Sequence, residues 1–398
     1  MIRHLATGFL ACAFAFVAVA GPAASEDPFE IHAILSLAGG GAFVGRAEAK
    51  TLAVVEADVN AHGGIHGRPI HFSIQDDESN PQTTVQFMDA LIAQHVPVVL
   101  GPNYAASCAV VLPLVVNGPV QYCFSPSVHP APGSYTFSVG VSTKDLALAG
   151  LRYLRDRGFT RIAQLHTIDA TGQDGENVIH QDLALPEMQS MQVVDTEHFS
   201  PADLTVTAQL SRIKAAGAQA IITWVIGPAF GTVLRSAADA GTDIPIITDA
   251  GNLSNTQMAQ YTSFLPKQLY FTGFRFLGHS TIGPGPVRDV QTNWLNEMHA
   301  AGIANPDSTY TNAWDAALVI VDAFRHVGTN ATAQQLHDYL ESMHGFAGIN
   351  GLLDFRDGSQ RGLTPLAALI VRYEPKSATW IPVSAAGGLP IKPPGRNS

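Results

Sequence analysis

Cysteine, charge and long apolar runs are all scarce in this chain. Only three of its 398 residues are cysteine, too few for the disulfide framework of a small secreted scaffold. Charged residues make up 14%, with 22 Lys and Arg against 33 Asp and Glu, and the basic ones are nowhere clustered. A net charge of −11 without a basic patch excludes the electrostatic footprint of a nucleic-acid binder or of a protein drawn to anionic lipid. No Gly-x-Ser-x-Gly turn occurs and no Cys–His pairing marks a strand end, so a hydrolase would lack its nucleophile. Low-complexity tracts are missing too.

One long apolar run exists, Phe9–Ala20, and it falls short of the roughly 20 residues that a membrane span needs. Arg3 precedes it and small residues follow, so residues 1–25 read as a secretory signal peptide, cleaved after Ala20 or after Ser25. Cys12 lies inside the run, where no lipid anchor is expected. Without Arg3 the −11 becomes −12, and the chain is expected to be exported to a compartment outside the cytoplasm. Cys108 and Cys123 then remain, near the ends of neighbouring strands. Two readings stand: a disulfide, which that compartment permits, or two small buried apolar side chains.

Apolar residues are plentiful at 46%, enough for a large core and about two domains. The run "EIHAILSL" leads into the glycine-rich "AGGGAFVG" and then into a helical stretch. That is a setting for phosphate binding, but Val44 occupies the place of the third glycine of a dinucleotide loop. Asp76 and Asp77 also come too late for a ribose contact. A tight turn open to another polar ligand is the better reading, and no cofactor is expected. Further on, short β-branched runs such as "VPVVLG", "RIAQLHT", "AQAIITWV" and "IPIIT" alternate with amphipathic helices. Such alternation makes right-handed βαβ units and parallel sheets. Three Pro- and Gly-rich breaks, "SPSVHPAPGSYTFSVGVS", "LYFTGFRFLGHSTIGPGP" and "GFAGINGLLDF", are candidate crossings between two lobes. A ligand would sit between the lobes, beyond the carboxyl ends of the strands.

In order and spacing, "ILSLAGGGAFVG", "NAHGGIHGRPIHFSIQDDESNP", "VVLGPNYAASC", "CFSPSVHP", "DATGQDG" and "TNAWDAALVIVDAF" resemble the Leu/Ile/Val-binding type of periplasmic solute-binding protein. The resemblance covers nearly the whole exported chain. It implies an α/β, type I periplasmic-binding fold with two parallel-sheet sandwich lobes joined by three hinge crossings. On that basis residues 26–142 plus 275–349 form the first lobe, 143–274 plus 350–385 the second, and 386–398 a loose tail. It also implies capture of a small solute by a monomer that serves the permease and ATPase of an inner-membrane ABC importer. A ligand-sensing subunit of a receptor system is the alternative.

Carried over by position, the family's site falls as follows. The loop after the third strand presents Tyr104, Ala105 and Ser107 where hydroxyl residues hold a ligand carboxylate. The next loop presents Ser127 and His129. Thr171 takes the place of a stacking tyrosine, and Asp249, or Ala250 beside it, that of the acid that pairs an ammonium. Phe43 or Val44 supplies the apolar side chain of the opening loop, Trp224 is either core or a stacking surface, and Phe274 adds to an aromatic-friendly slot. With the carboxylate-binding hydroxyls replaced, the expected ligand is a small organic acid, aromatic in one version, held by Arg275. Branched-chain or other amino acids and amides are the alternative.

His62, His66 and His71 are separated by glycines that break any helix, so no metal site is expected. Asp76 and Asp77 are read as caps of the helix beginning near Pro81 and as an edge of the cleft, without a catalytic role.

Overall fold

A computed structural model describes residues 27–391, so the segment read as a signal peptide lies outside the described residues. The chain opens with β1 (Phe29–Leu35), α1 (Ala42–Ala61), β2 (Ile70–Asp76), α2 (Pro81–Ala93), β3 (Val98–Leu100), α3 (Ala105–Val111), β4 (Val120–Cys123) and β5 (Thr136–Ser138). The second series is α4 (Thr143–Asp156), β6 (Arg161–Thr167), α5 (Ala170–Leu183), β7 (Gln192–Phe199), α6 (Thr207–Ala215), β8 (Ala220–Thr223), α7 (Pro228–Asp239), β9 (Ile246–Thr248), α8 (Asn255–Tyr261) and β10 (Leu269–Phe274). Then follow α9 (Pro286–Ala300), α10 (Asn312–Val327), α11 (Ala333–Ser342), β11 (His344–Gly348), β12 (Gly351–Asp354), β13 (Ala368–Glu374) and β14 (Thr379–Pro382).

Two main sheets result. The first, ordered β2-β1-β3-β4-β5, is parallel throughout, with Phe29 opposite Ile70 and Leu35 opposite Asp76. The second runs β14-β13-β10-β9-β8-β6-β7 and is parallel from β10 to β7, with β13 and β14 added antiparallel. Their inner strands, "VVL", "AIIT" and "IIT", are buried at every position. Helices must therefore cover both faces, which is why these strands read as unbroken apolar runs. The edge strand β7, "QVVDTEHF", carries charge along its length, which discourages pairing with another chain.

Helix starts are set by side chains that accept from otherwise orphaned amides. Ser142 caps α4, Asp169 caps α5 and Thr332 closes a capping box with Gln335. Leu146, Leu151 and Leu154 turn the apolar face of α4 into the core of the second lobe.

Three expectations change. Residues beyond 350 were expected in the second lobe, but β12 pairs with β11 and the Phe355 ring meets the Phe137 edge at 5.6 Å. Ser138 N–H donates to Gln360 O (2.9 Å), and the Arg361 guanidinium donates to Val139 O (2.7 Å). The segment through Arg361 thus packs on the first lobe, and the third crossing follows it. The first residues of the expected loose tail are packed instead: Gly387 and Gly388 are buried, and a Cβ on Gly388 would stand 2.0 Å from Ala149 O of α4. Finally, Asn80 caps α2, leaving Asp76 and Asp77 for another task. Cys108 and Cys123 are joined as a disulfide that ties α3 to the end of β4.

Candidate functional site

A cavity of about 60 Å³ lies in the cleft between the lobes, at the carboxyl ends of both sets of strands. From the first lobe, Val44 follows β1, Asn103 and Ala105 follow β3, and Phe124 to Ser127 follow β4. The second lobe contributes Thr171 after β6, Trp224 and Ile226 after β8, Asp249 to Gly251 after β9, and Phe274 at the end of β10. Ser308, Thr309 and Asn312 complete the wall from the entry to α10. In a parallel sheet every strand delivers its following loop to the same edge, so distant segments of sequence converge there.

The glycine-rich loop is held by hydrogen bonds to the two acids at the end of β2. Asp76 Oδ1 accepts from Leu37 N–H (2.8 Å), and Asp77 Oδ1 accepts from the Ser36 hydroxyl (2.7 Å). Asn103 Oδ1 accepts from Ser36 N–H (2.8 Å), which joins the loop after β1 to the loop after β3. Gly39 has φ +76°, and a Cβ there would stand 2.5 Å from Glu78 O, so only glycine fits.

Charge in the inner cavity comes from one residue. Asp249 is the sole ionisable side chain among the described lining residues; no Lys, Arg or His joins it. Its Oδ1 accepts from Gly251 N–H (2.7 Å) and its Oδ2 from Val225 N–H (3.2 Å). Burial pushes its carboxyl up to about 7, and the nearby Asp169 carboxylate adds to the effect. Behind the wall, Glu48 is buried and held far above the usual carboxylate range by desolvation; its Oε1 accepts from Asn312 Nδ2 (3.4 Å). Trp224 is both wall and core, 1% exposed and packed on Gly175. Its backbone N–H donates to His166 Nδ1 (3.0 Å), so the imidazole proton sits on Nε2, donating to Gln164 Oε1 (2.8 Å). Burial pushes His166 down to about 3, keeping it neutral.

The lobes touch across the cleft. His129 Nε2 lies 2.6 Å from Asp174 Oδ1 of α5, and a Cβ on Gly227 would come within 3.1 Å of Gly40 O. Two sandwich lobes whose strand ends face one another across a lined cavity form a ligand clamp. A family model described as "Periplasmic binding protein" matches residues 28–376. The chain belongs to this family.

Periplasmic binding proteins are solute-binding proteins of the periplasmic or extracellular space, and the two-lobed type I fold is shared with solved structures. A type 1 periplasmic binding protein from Bordetella pertussis Tohama I superposes with a TM-score of 0.76 at 20% identity, over 89% of this chain and 99% of that one. The branched-chain amino acid transporter substrate binding protein of Streptococcus pneumoniae, solved with isoleucine, gives 0.76 at 18% identity, covering 89% and 98%. A fatty acid ABC transporter substrate-binding protein from Thermomonospora curvata gives 0.76 at 16% identity, covering 92% and 94%. No curated protein sequence matches the chain.

Of the residues expected in the binding protein's site, Ala105, Ser127, Thr171, Trp224, Asp249 and Phe274 line the inner cavity. Five lie elsewhere. Arg275 lines a separate groove with Ile282, Arg288 and Thr364, because the side chain after Phe274 leaves the strand on the opposite face. Ser107 sits one half-turn into α3 on its buried side, 2.8 Å from Thr84 Oγ1, whose hydroxyl donates to Asp77. His129 is engaged with Asp174, and half-buried Tyr104 lies near Asp169. Phe43 lines an outer cavity, leaving Val44 for the inner one. Sequence reading missed Asn103, Ser308, Thr309 and Asn312. Nothing in a lone asparagine or hydroxyl signals such a role, and Asn312 meets Glu48 only across 264 residues of chain.

Proposed function

We propose that this protein is the periplasmic solute-binding component of an ABC importer, and that it captures a small amine-bearing, amino-acid-like solute between its lobes without chemical change. The observation that carries the reading is Asp249, an acid with no cation in the same cavity. An ammonium beside it supplies the missing countercharge, whereas a carboxylic acid would meet only hydroxyls, amides and a like charge. The organic acid expected from the sequence depended on Arg275, which lines another groove. Amides and hydroxyls from Asn103, Ser127 and Thr171 suit the polar atoms of the ligand's other end. The fold does not choose among solutes, since one similar structure holds isoleucine and another is named for fatty acids.

Size argues for movement. About 60 Å³ is less than the ~150 Å³ that accommodates a benzene ring, so a ligand of that bulk enters only when the lobes part. Closure around the ligand is then the state that permease and ATPase subunits read, by the population shift that any ligand bridging two lobes produces. A thermal-shift screen of amino acids, amides, aromatic acids and short organic acids tests the reading. Amines are expected to raise the unfolding midpoint, because mass action stabilises only a form that binds. Stabilisation by acids lacking an amine, and by no amine, would defeat it.

A further inference from the structure

A second cavity, about 430 Å³, opens between the lobes beside the first. The two share Thr309 as a lining residue. Its first-lobe wall is the glycine loop and α1, with Phe43, Arg46 and Lys50; its second-lobe wall is Gly227, Pro228 and α8, with Gln257 and Tyr261. Arg46 and Lys50 stand four residues apart and so share one face of α1, both exposed to solvent. Arg46 Nε donates to Leu37 O (2.7 Å), leaving its terminal nitrogens for another acceptor. Asp307 also lines this space, but Asn255 N–H and the N–H and hydroxyl of Thr309 engage its carboxyl.

An independent feature points to an occupant. Gln257 is 6% exposed, and its Nε2 donates to Gly227 O (2.8 Å), yet its buried Oε1 has no hydrogen-bond partner. Such an acceptor is costly to leave unpaired. The residue lines the outer cavity, and a ligand N–H or hydroxyl there would satisfy the oxygen once the side chain turns it out of its buried position.

The cations Arg46 and Lys50 thus lie only in the outer cavity, beside an Asp307 already engaged by its neighbours, and the inner cavity holds the acid Asp249 without a cation. We infer that the cleft takes an elongated zwitterion, with its ammonium at Asp249, its body past Thr309 between Phe43 and Tyr261, and its carboxylate at Arg46 and Lys50. An α-amino acid carries its two charges on neighbouring carbons and cannot reach both cavities. An ω-amino acid or a dipeptide sets its two charges several bonds apart, as two adjoining cavities require, and a dipeptide also offers an amide N–H to Gln257. This inference rests on the amine-binding reading above and names its substrate class.

Calorimetric titration of the intact protein with 5-aminopentanoate, 6-aminohexanoate, glycylglycine, alanylalanine, alanine and leucine tests it. The long zwitterions are expected to bind at least about tenfold tighter than alanine or leucine. Lys50→Glu, an exposed and fold-neutral change, is expected to weaken the long zwitterions on the order of tenfold, and alanine or leucine by less than about twofold. Equal or better binding of leucine, or a Lys50→Glu variant that holds the long zwitterions as before, overturns the inference and leaves the amine reading standing. Failure of every amine, long or short, overturns both. Preference for dipeptides over ω-amino acids supports it and assigns Gln257 its partner.

Discussion

Asp249 shows how one side chain can be both frame and contact. Its oxygens hold the backbone of Val225 and Gly251, while the same carboxyl borders the cavity. In the ligand-free protein burial raises its pKa to about 7, so a proton competes with an incoming ammonium at and below neutrality. Affinity for an amine ligand is therefore expected to fall as pH drops below about 7 and to level off above it, in titrations between pH 5.5 and 8.5. Asp249→Asn removes the charge and turns one of the two acceptors of the Gly251 and Val225 N–H groups into a donor; it is expected to cost about 2–3 kcal/mol in binding, roughly thirty- to a hundredfold in Kd, and to flatten the pH dependence. An unchanged affinity would move the ammonium elsewhere. The acid was legible in sequence only to within one residue. The disagreement over Arg275 was not legible, because a one-residue step along a strand reverses the side chain's direction.

At the scale of elements, the glycine loop and α1 work as one unit. Gly45 lies in the first turn of α1, where a Cβ would come within 2.1 Å of Ser36 O, whereas one on Gly40 would meet nothing within 4 Å. Gly45→Ala is expected to lower stability by about 1–3 kcal/mol, the usual cost of overpacking, and to weaken binding as the loop shifts. Gly40→Ala is expected to leave the unfolding midpoint nearly unchanged. Denaturant titration of the two variants separates a loop held by close approach from one that merely needs glycine. The elements themselves were readable, because buried parallel strands write themselves as β-branched runs. Where the last crossing falls was not, since the "GINGLLDF" segment becomes a first-lobe hairpin only by pairing with β11.

For the molecule as a whole, burial raises the pKa of several carboxyls. Asp182, Asp249 and Asp315 are each pushed up to about 7 and Asp307 to about 6. Raised folded pKa values mean that the native state binds more protons than the unfolded chain between about pH 4 and 7. Stability is therefore expected to be greatest toward pH 5 and to decline as pH rises to about 7, levelling beyond it. The carboxyls lowered by arginine partners, Glu187, Glu197 and Asp354, lose their contribution only below that window. Thermal melts at pH 5.5 and 8 check the sign: a higher midpoint at pH 8 would show that these acids are ionised in the fold. Ligand should add to stability at either pH and compact the protein in small-angle scattering.

The sequence by itself determined the class of fold and the edge at which a ligand must bind. Both follow from local pattern: strand and helix periods, and glycine-rich turns at strand ends. Tertiary structure alone decided which groups line the cleft. Side-chain direction turns on single-residue register, and the loops that meet at the cleft are hundreds of residues apart. Asn312 beside Glu48, Arg361 beneath the Pro126–Val128 turn, and an inner acid set apart from outer cations are consequences of that convergence.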